Sequence, residues 1–442
     1  MGFTVLRTSR EYVQPSAATP SGELELSIID RVVGLRHLVR SLHIFTGAAG
    51  GDGRPAPTSA SPARVIKEAL GKALVDYYPF AGRFADGAGG PGSARVECTG
   101  EGAWFVEAVA GCSLDDVNRL DHPLMIPEDD LLPDAAPGVQ PLDLPLMMQV
   151  TEFTCGGFVV GLISVHTLAD GLGAGQFINA VGDYARGLDR PRVSPIWARE
   201  AIPSPPKLPP GPPPDLTMFQ LRHVTVDLSL DTINKAKSSY FASTGQRCST
   251  FDVAIARTWQ ARTRSLRLPD PSSRVNLCFF ANTRHLMHAA AWPKDAAAGN
   301  GNGGGAGFYG NCFYPVSVVA ESGAVEAADV AGVVGMIREA KARLPAEFAR
   351  WAVGDFRDDP YELSFTYDSL FVSDWTRLGF LEADYGWGAP SHVVPFAYHP
   401  FMAVAIIGAP PAPKSGARIM TQCVEDDHLP AFMDEIKAFD KF

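Results

Sequence analysis

Apolar residues form short runs of strand length in some segments of this chain and recur at helical spacing in others. Segments of the two kinds alternate, which predicts strands separated by amphipathic helices. Residues 158–165 form an apolar run of strand length, whereas residues 172–184 carry apolar side chains at helical spacing. Residues 146–154 pair with the first run as a hairpin, because Cys155-Gly156-Gly157 suits a tight turn. The first ordered segment is expected at residues 24–45, where residues 38–45 alternate as in a strand.

The second half of the chain repeats this alternation. A helix begins at Ser249 or Thr250, whose hydroxyl groups suit an N-cap. Further strands are predicted at 221–228, 274–282, 402–408 and 417–424, a long helix at 330–344 and a closing helix at 432–439. Because strands and helices alternate in both halves, the predicted fold class is α/β.

A proline-rich segment separates the two halves. Residues 203–214 can be neither an inner strand nor a helix, because proline density makes a chain extended and stiff. We therefore expect an N-terminal domain at 1–188, a crossover linker at 189–215 and a C-terminal domain at 216–442. Loops are expected at 46–61 and 296–310, and the second lacks the Lys-Ser/Thr ending of a phosphate-binding loop.

Composition narrows the function classes. The chain has 442 residues and a net charge of −11, which argues against nucleic-acid or anionic-membrane binding. Its seven cysteines contain no CxxC pair, so buried thiols in a reducing compartment are expected and a zinc site is not. No apolar run approaches the roughly 20 residues of a membrane span. The N-terminus lacks a signal-peptide layout, and a cytoplasmic location is the expectation.

A histidine stands between the strand of residues 158–165 and the helix that follows it. His166 opens the sequence His-Thr-Leu-Ala-Asp-Gly, which includes Asp170 and Gly171. Histidine accepts protons near neutral pH and is the usual general base for a hydroxyl group. A structural histidine beside a helix-capping aspartate fits the hexapeptide equally well. No further His or Cys stands at metal-ligand spacing near His166, so no metal site is predicted.

Two other features could contribute to a site. Residues 247–284 carry seven arginines against two acidic residues, which indicates an anion site beside the predicted helix start or, alternatively, a solvated basic face. These arginines are Arg247, Arg257, Arg262, Arg264, Arg267, Arg274 and Arg284. The other feature is Asp384-Tyr385-Gly386-Trp387-Gly388, where two glycines flank a tryptophan in a sharp turn, either as a packed turn or as a catalytic part.

Together these motifs resemble the BAHD family of plant acyl-CoA-dependent acyltransferases. The HxxxDG element is His166 to Gly171, and the DFGWG element corresponds to Asp384 to Gly388, with Tyr385 in place of phenylalanine. Lesser landmarks follow in the family's order: Tyr78-Pro79-Phe80-Ala81-Gly82-Arg83, Gln149-Val150-Thr151, Ser249-Thr250-Phe251, Asn282-Thr283-Arg284 and Tyr309-Gly310-Asn311. The resemblance implies two similar chloramphenicol-acetyltransferase-like domains with mixed β-sheets. It also implies an active-site channel at their interface, with residues 376–399 completing the first sheet.

The resemblance further implies a mechanism. His166 takes the proton from an acceptor hydroxyl as its oxygen attacks the thioester carbonyl. The indole N–H of Trp387 is the candidate donor to the oxyanion. Asp170 pairs with Arg284 and holds the loop that aims His166, while Asp384, Gly386 and Gly388 are structural. No permanently bound cofactor is implied, since acyl-CoA is a co-substrate.

The same resemblance implies the substrates and the residues that bind them. Acyl-CoA is expected at Ser249, Thr250, Arg247 and Arg257, and a small alcohol at Arg36, His37, Leu38 and Arg377. The segment at residues 29–37 is similar to grass enzymes that transfer p-coumaroyl or feruloyl groups to monolignols. Acetyl, benzoyl or feruloyl donors and a shikimate or quinate acceptor are alternatives, although Thr167 departs from the HHAADG of the shikimate and quinate enzymes. A BAHD-like binding protein without turnover is the non-enzyme alternative, and a monomer is expected.

Overall fold

A computed structural model describes residues 3–47, 61–87, 90–206, 216–287, 307–396 and 399–438. The end of the predicted linker, residues 207–215, and most of the two predicted loops lie outside these residues. The chain forms two compact units, of which the first comprises residues 1–203, 287–312 and 377–396. The second comprises residues 204–286, 313–376 and 397–442. This division differs from the sequence-based one at residues 307–312, which cluster with the first unit.

The first unit is built on a six-stranded mixed sheet of order β1-β6-β7-β8-β3-β13. Strands β6 and β7 are parallel, and every other neighbouring pair in this sheet is antiparallel. The predicted hairpin is confirmed as the pair of β7 and β8. The strands are β1 (Val5–Val13), β3 (Leu38–Phe45), β6 (Ala103–Ala110), β7 (Leu146–Glu152), β8 (Phe158–Val165) and β13 (His392–Pro395).

The expectation that order begins near residue 24 is wrong, because β1 precedes it. This edge strand is rich in polar residues, and its exposed positions alternate with partly buried ones, so it lacks the apolar run of an inner strand. Its Arg7 side chain donates to the Gln149 amide oxygen at 3.0 Å. A smaller sheet of order β2-β5-β4 accompanies the large one and comprises β2 (Gly22–Glu25), β4 (Arg83–Gly87) and β5 (Gly90–Cys98).

Two main helices belong to the first unit and pack on each other: α1 (Pro62–Asp76) and α3 (Gly171–Ala185). Ser61 caps α1 by accepting from the Arg64 N–H at 3.4 Å, as its position before Pro62 predicts. Between them the chain forms the single turn α2 (Glu128–Leu131). A separate apolar cluster packs on alternate residues of the strands and includes Leu42, Ile44, Val106, Val159 and Ile163.

The second unit has its own six-stranded mixed sheet, of order β11-β10-β12-β14-β15-β9. Its strands are β9 (His223–Ser229), β10 (Arg274–Asn282), β11 (Phe313–Glu321), β12 (Ser369–Asp374), β14 (Val404–Gly408) and β15 (Gly416–Gln422). Its helices are α4 (Leu230–Thr244), α5 (Thr250–Leu266), α6 (Ser322–Ala327), α7 (Val330–Ala352) and α8 (Leu429–Ala438). Helix α5 is buried on almost all sides and contacts α7 and α8.

Two glycines of helix α3 lie so close to neighbouring backbone that there is no room for a side chain at either position. A Cβ atom at Gly173 would lie 1.9 Å from the Tyr309 carbonyl oxygen, and one at Gly175 would lie 1.7 Å from the Leu378 carbonyl oxygen. Both distances are far below van der Waals contact. The glycines of α3 therefore bring two segments that are remote in sequence against the start of the helix.

We expect Gly175→Ala to lower the stability of the protein, because its methyl group must displace the Leu378 backbone. Overpacking of this kind costs about 1–3 kcal/mol. Gly335→Ala is the matched control, since Gly335 lies within α7 and a Cβ atom added there would meet nothing within 4 Å. That change should raise stability by about 0.5–1 kcal/mol through helix propensity. Thermal melting of both variants checks the pair, and equal midpoints would contradict the close approach of α3.

Candidate active site

His166 follows the last residue of β8 and precedes α3 by a short turn. Its backbone N–H donates to the His37 carbonyl oxygen at 3.1 Å, and its own carbonyl oxygen accepts from the Asn311 side chain at 3.0 Å. The rings of His37 and His166 have centroids 5.3 Å apart. His166 retains some exposed surface. Its backbone is thus held on both sides, while the residue as a whole stays partly exposed.

The surroundings of His166 favour the neutral imidazole. Burial lowers the pKa of His166 below its ordinary value of 6.5, because removing water penalises the charged ring. The nearby carboxylate of Asp170 acts in the opposite direction and raises this pKa. Burial is the larger effect, so the ring can accept a proton at neutral pH. This is the state that a general base requires.

Asp170 has a structural position at the N-terminus of α3. One carboxylate oxygen accepts from the Gly173 N–H at 2.9 Å and the other accepts from the Cys312 N–H at 3.1 Å. Asp170 is only 7% exposed. These contacts support the predicted geometric role, since both oxygens bind backbone groups. The predicted partner Arg284 lies in the second unit, where its N–H donates to the Asn282 side chain at 3.1 Å, and its pairing with Asp170 stays a prediction.

The position of Trp387 argues against the predicted donation to the oxyanion. Its indole packs edge-on against Phe158 with ring centroids 5.5 Å apart. Phe158 is the first residue of β8, whereas His166 follows the last one, Val165. Seven strand residues span about 23 Å. An indole on Phe158 is therefore too far along the sheet to contact a substrate oxygen beside the His166 imidazole.

The turn that contains Trp387 is organised by Asp384. Its carboxylate accepts from the N–H groups of Gly386 and Gly388 at 2.7 and 2.9 Å. Gly386 and Gly388 have φ angles of 105° and 85°, which side-chain-bearing residues rarely adopt. Tyr385 is buried against Phe45. These contacts agree with the structural roles predicted for Asp384, Gly386 and Gly388.

Among the predicted acceptor residues, one lies beside the His166 ring. This residue is His37, whose Nδ1 lies 2.8 Å from the Gly34 carbonyl oxygen. The guanidinium of Arg36 instead forms ion pairs with Asp86 at 2.7 Å and with Asp143 at 2.9 Å, which argues against an acceptor-binding role. Leu38 opens β3 opposite Val165 and packs against the apolar cluster. Arg377 belongs to the first unit and is exposed.

The residues predicted to bind CoA lie in the second unit. Ser249 caps α5 in a capping box with Asp252, as the sequence predicts. The Thr250 hydroxyl accepts from the Lys237 ammonium at 2.8 Å, so a positive charge stands at this helix start. Arg247 is exposed. Arg257 is only 3% exposed and donates to Gln260, which argues against contact with a phosphate.

The arginine-rich segment does not form one continuous basic surface, because some of its arginines are exposed and others are buried. Arg262 is 1% exposed and donates to the backbone carbonyls of Cys423 and Tyr367. Arg264 donates to the Glu326 carbonyl and pairs with Glu435. Several of these arginines therefore tie α5 to other parts of the second unit. Sequence composition alone could not separate buried arginines from exposed ones.

Three residues near His166 were not assigned a role from the sequence: Asp30, Arg199 and Asn311. Asp30 and Arg199 form a buried ion pair with 2.9 Å between Oδ2 and Nε. Asn311 belonged to a recognised motif, yet nothing in its spacing indicates a contact with residue 30 or 166. The signal that could have been used is the acidic residue within the apolar segment at 26–30, since buried charges need partners.

Among the described residues, no cluster of three or more His, Cys, Asp or Glu side chains could hold a metal ion. In the same part of the chain, none of the helices combines the length and apolar character that crossing a membrane requires.

Comparisons with known proteins place the chain in a family. The sequence model of the Transferase family matches residues 3–438. "Acyl transferase 4" of Oryza sativa subsp. japonica is 87% identical over 447 residues, and the alignment covers 100% of each chain. "Myricetin 3-O-glucosyl 1,2-rhamnoside 6'-O-caffeoyltransferase AT2" of Crocosmia x crocosmiiflora is 39% identical, across 99% of this chain and 100% of its own.

The fold has solved counterparts. Vinorine synthase matches with a TM-score of 0.72 at 19% identity, covering 99% of this chain and 98% of that one. This likeness confirms the predicted α/β fold with two mixed-sheet domains. Together with the family match over nearly the whole sequence, it shows that the chain belongs to the BAHD family of plant acyltransferases, enzymes that use acyl-CoA as a co-substrate.

Proposed function

We propose that this acyltransferase moves a hydroxycinnamoyl group, p-coumaroyl first among them, from CoA to the hydroxyl of a monolignol. The observation that carries the proposal is His166, a partly exposed histidine whose pKa is lowered and whose backbone is held on both sides. The Crocosmia relative supports the donor class, because its name specifies a caffeoyl group. The segment at residues 29–37 supports a monolignol acceptor, because it is similar to the grass enzymes that acylate monolignols.

In the proposed reaction, the His166 imidazole takes the proton of the acceptor hydroxyl while that oxygen attacks the thioester carbonyl. General bases of this kind contribute about 10²–10⁴-fold in rate. The tetrahedral intermediate collapses with cleavage of the carbon–sulfur bond, and the departing CoA thiolate takes the proton from His166. Holding both substrates together makes the attack effectively intramolecular. His37, whose ring lies beside that of His166, is the acceptor-side contact.

On the donor side, the start of α5 remains the proposed site for a CoA phosphate. The contact of Lys237 with Thr250 supports it, because the ammonium adds to the partial positive charge of a helix N-terminus. Ser249 and Arg247 complete the proposed set, while Arg257 is left out because of its burial.

A second acceptor class follows from the Crocosmia relative, whose name specifies a flavonol glycoside with a sugar hydroxyl as the acylated group. Shikimate and quinate are less favoured, since Thr167 is buried and its hydroxyl donates to the Leu35 carbonyl at 3.3 Å. The acceptor class is therefore decided by assay across all of these compounds.

The substrate proposal is tested by crossing p-coumaroyl-, feruloyl-, caffeoyl-, benzoyl- and acetyl-CoA with coniferyl alcohol, shikimate, quinate and a flavonol glycoside. Release of the CoA thiol gives the rate. We expect the highest kcat/KM for p-coumaroyl-CoA with coniferyl alcohol, and His166→Ala should lower kcat by about 10²–10⁴-fold at an unchanged melting temperature. A clear preference for acetyl-CoA or for a sugar hydroxyl would contradict the substrate proposal, and a fully active His166→Ala would contradict the base.

The pH dependence of kcat/KM should show an acid limb with a midpoint below 6.5. The neutral imidazole is the active form and burial lowers the pKa of His166, so activity persists below pH 6.5 and falls only as the ring becomes protonated. The profile is measured with the best substrate pair from the panel. An acid limb with a midpoint at or above pH 6.5 would show that the pKa of the base is not lowered in the free enzyme.

Removal of the Trp387 indole N–H should leave catalysis almost intact. Trp387→Phe keeps a ring against Phe158, so we expect a lower melting temperature and a kcat within about threefold of wild type. Loss of a true oxyanion donor costs about 10²–10³-fold in kcat, and a loss of that size would restore the catalytic role. The control is Tyr385→Phe in the same turn, which restores the family's usual residue and should change neither quantity.

A further inference from the structure

The carbonyl groups of the turn that carries His166 are bound by side chains from distant parts of the first unit. The Asn311 amide nitrogen lies 3.0 Å from the His166 carbonyl oxygen and 3.1 Å from that of Thr167. The Arg199 guanidinium donates to the Leu168 carbonyl oxygen at 2.6 Å. Carbonyls between a strand and a helix have no partners in either element, so these three depend on side chains.

Asp30 connects the two donors. Its Oδ1 accepts from the Asn311 backbone N–H at 3.1 Å and from the Asn311 side chain at 2.8 Å. Its Oδ2 pairs with Arg199 Nε at 2.9 Å and accepts from the Ser27 N–H at 3.0 Å. The side chains of Asp30 and Arg199 are 0% and 3% exposed. A buried carboxylate thus orients both side chains that bind the turn.

Three aromatic rings and a glycine surround the Arg199 guanidinium. Its central carbon lies 4.1 Å from the ring centroid of Trp197 and 5.1 Å from those of Phe308 and Tyr309. A Cβ atom at Gly310 would lie 2.1 Å from Arg199 Nη1, so glycine leaves the space that the guanidinium occupies. Ala198 has a φ angle of 32°, a backbone conformation that costs energy outside glycine.

Stability alone gives a weak reason for such an ion pair. Replacing a buried pair by well-packed apolar residues is often neutral or stabilising, because desolvation cancels the attraction. The pair instead fixes the geometry of the turn, since Arg199 and Asn311 bind three consecutive carbonyl groups of residues 166–168. His166 is the first residue of the three, and its N–H is bound to the His37 carbonyl.

We propose that Asp30, Arg199 and Asn311 are positioning residues that hold the His166 imidazole in the orientation needed for proton transfer. This inference rests on the proposed function, in which His166 is the base. Displacing a reacting group by about 1 Å can lower the rate by about 100-fold. Asp30 and Arg199 act through the backbone of residues 166–168, whereas the Asn311 side chain also hydrogen-bonds the side chain of His166.

The first test is Arg199→Lys. Lysine keeps the charge but lacks the planar fork, so its ammonium cannot reproduce the guanidinium contacts with both Asp30 and the Leu168 carbonyl. We expect kcat to fall by about 10- to 100-fold with the KM values of donor and acceptor within about threefold of wild type. Steady-state kinetics with the best substrate pair measures both, alongside thermal melting.

Arg83→Lys is the matched control. Arg83 is also buried in the first unit, donates to two backbone carbonyls at 2.7 and 2.9 Å, pairs with Glu101 and packs on Tyr12. None of these contacts involves the turn at residues 166–168, so their loss should lower the melting temperature and leave kcat within about threefold. The proposal is overturned if Arg199→Lys keeps the kcat of wild type, or if Arg83→Lys loses as much kcat for the same loss of melting temperature.

Asn311→Ser provides a second test if Arg199→Lys does not fold. The backbone N–H that binds Asp30 remains, while the amide that binds the His166 and Thr167 carbonyls is lost. We expect the same fall in kcat at unchanged KM, and a kcat equal to that of wild type would overturn the proposal. Failure of the proposed function would be seen in different results. The wild-type enzyme would release no thiol, or His166→Ala would be fully active.

Discussion

The close approach of α3 to neighbouring backbone is the constraint on which the site depends. At Gly173 and Gly175 there is no space for even a Cβ atom, because the carbonyl oxygens of Tyr309 and Leu378 occupy it. The contact with Tyr309 determines where Asn311, two residues later, can lie. A larger residue at Gly173 would move that segment away and leave the carbonyl groups of the His166 turn without their donor. The glycines of this helix therefore act on the site through packing, although none of them takes part in chemistry.

The same arrangement explains how charged groups are accommodated near His166, the proposed base, whose neutral form is the one that accepts a proton. Asp30 is paired with Arg199, and Asp170 accepts from two backbone N–H groups, so both buried carboxylates are compensated. A carboxylate nevertheless raises the pKa of His166, while burial lowers it by more. The net lowering of the pKa favours the uncharged ring. His166 lies, partly exposed, in a turn whose backbone is held by hydrogen bonds.

Sequence patterns predicted the local elements well, because capping, hairpin turns and helical spacing are properties of neighbouring residues. The caps at Ser61 and Ser249 and the hairpin of β7 and β8 are of this kind. Sequence patterns were a poor guide to features that depend on which remote residues meet in space. Trp387 was given a catalytic role from its motif, although nothing in a motif states how far it lies from His166. Arg262 looked like part of a basic surface, although it is buried against backbone carbonyls. The contact between Asp30, Arg199 and Asn311 joins residues up to 281 positions apart and had no local signal.

The two family motifs lie at opposite ends of one pair of strands, and this placement gives the second motif a function without chemistry. Strands β3 and β8 pair along their whole length, from Leu38 opposite Val165 to Phe45 opposite Phe158. The turn around Trp387 packs on the Phe45 and Phe158 rings, and the chain then enters β13, which pairs with β3. A slip of one residue between the strands would turn their side chains to the wrong faces of the sheet. It would also separate His37 from His166 at the other end. Packing at the Trp387 turn thus resists a change of register, and in this way it preserves the contact between the two histidines about 23 Å away along the strands.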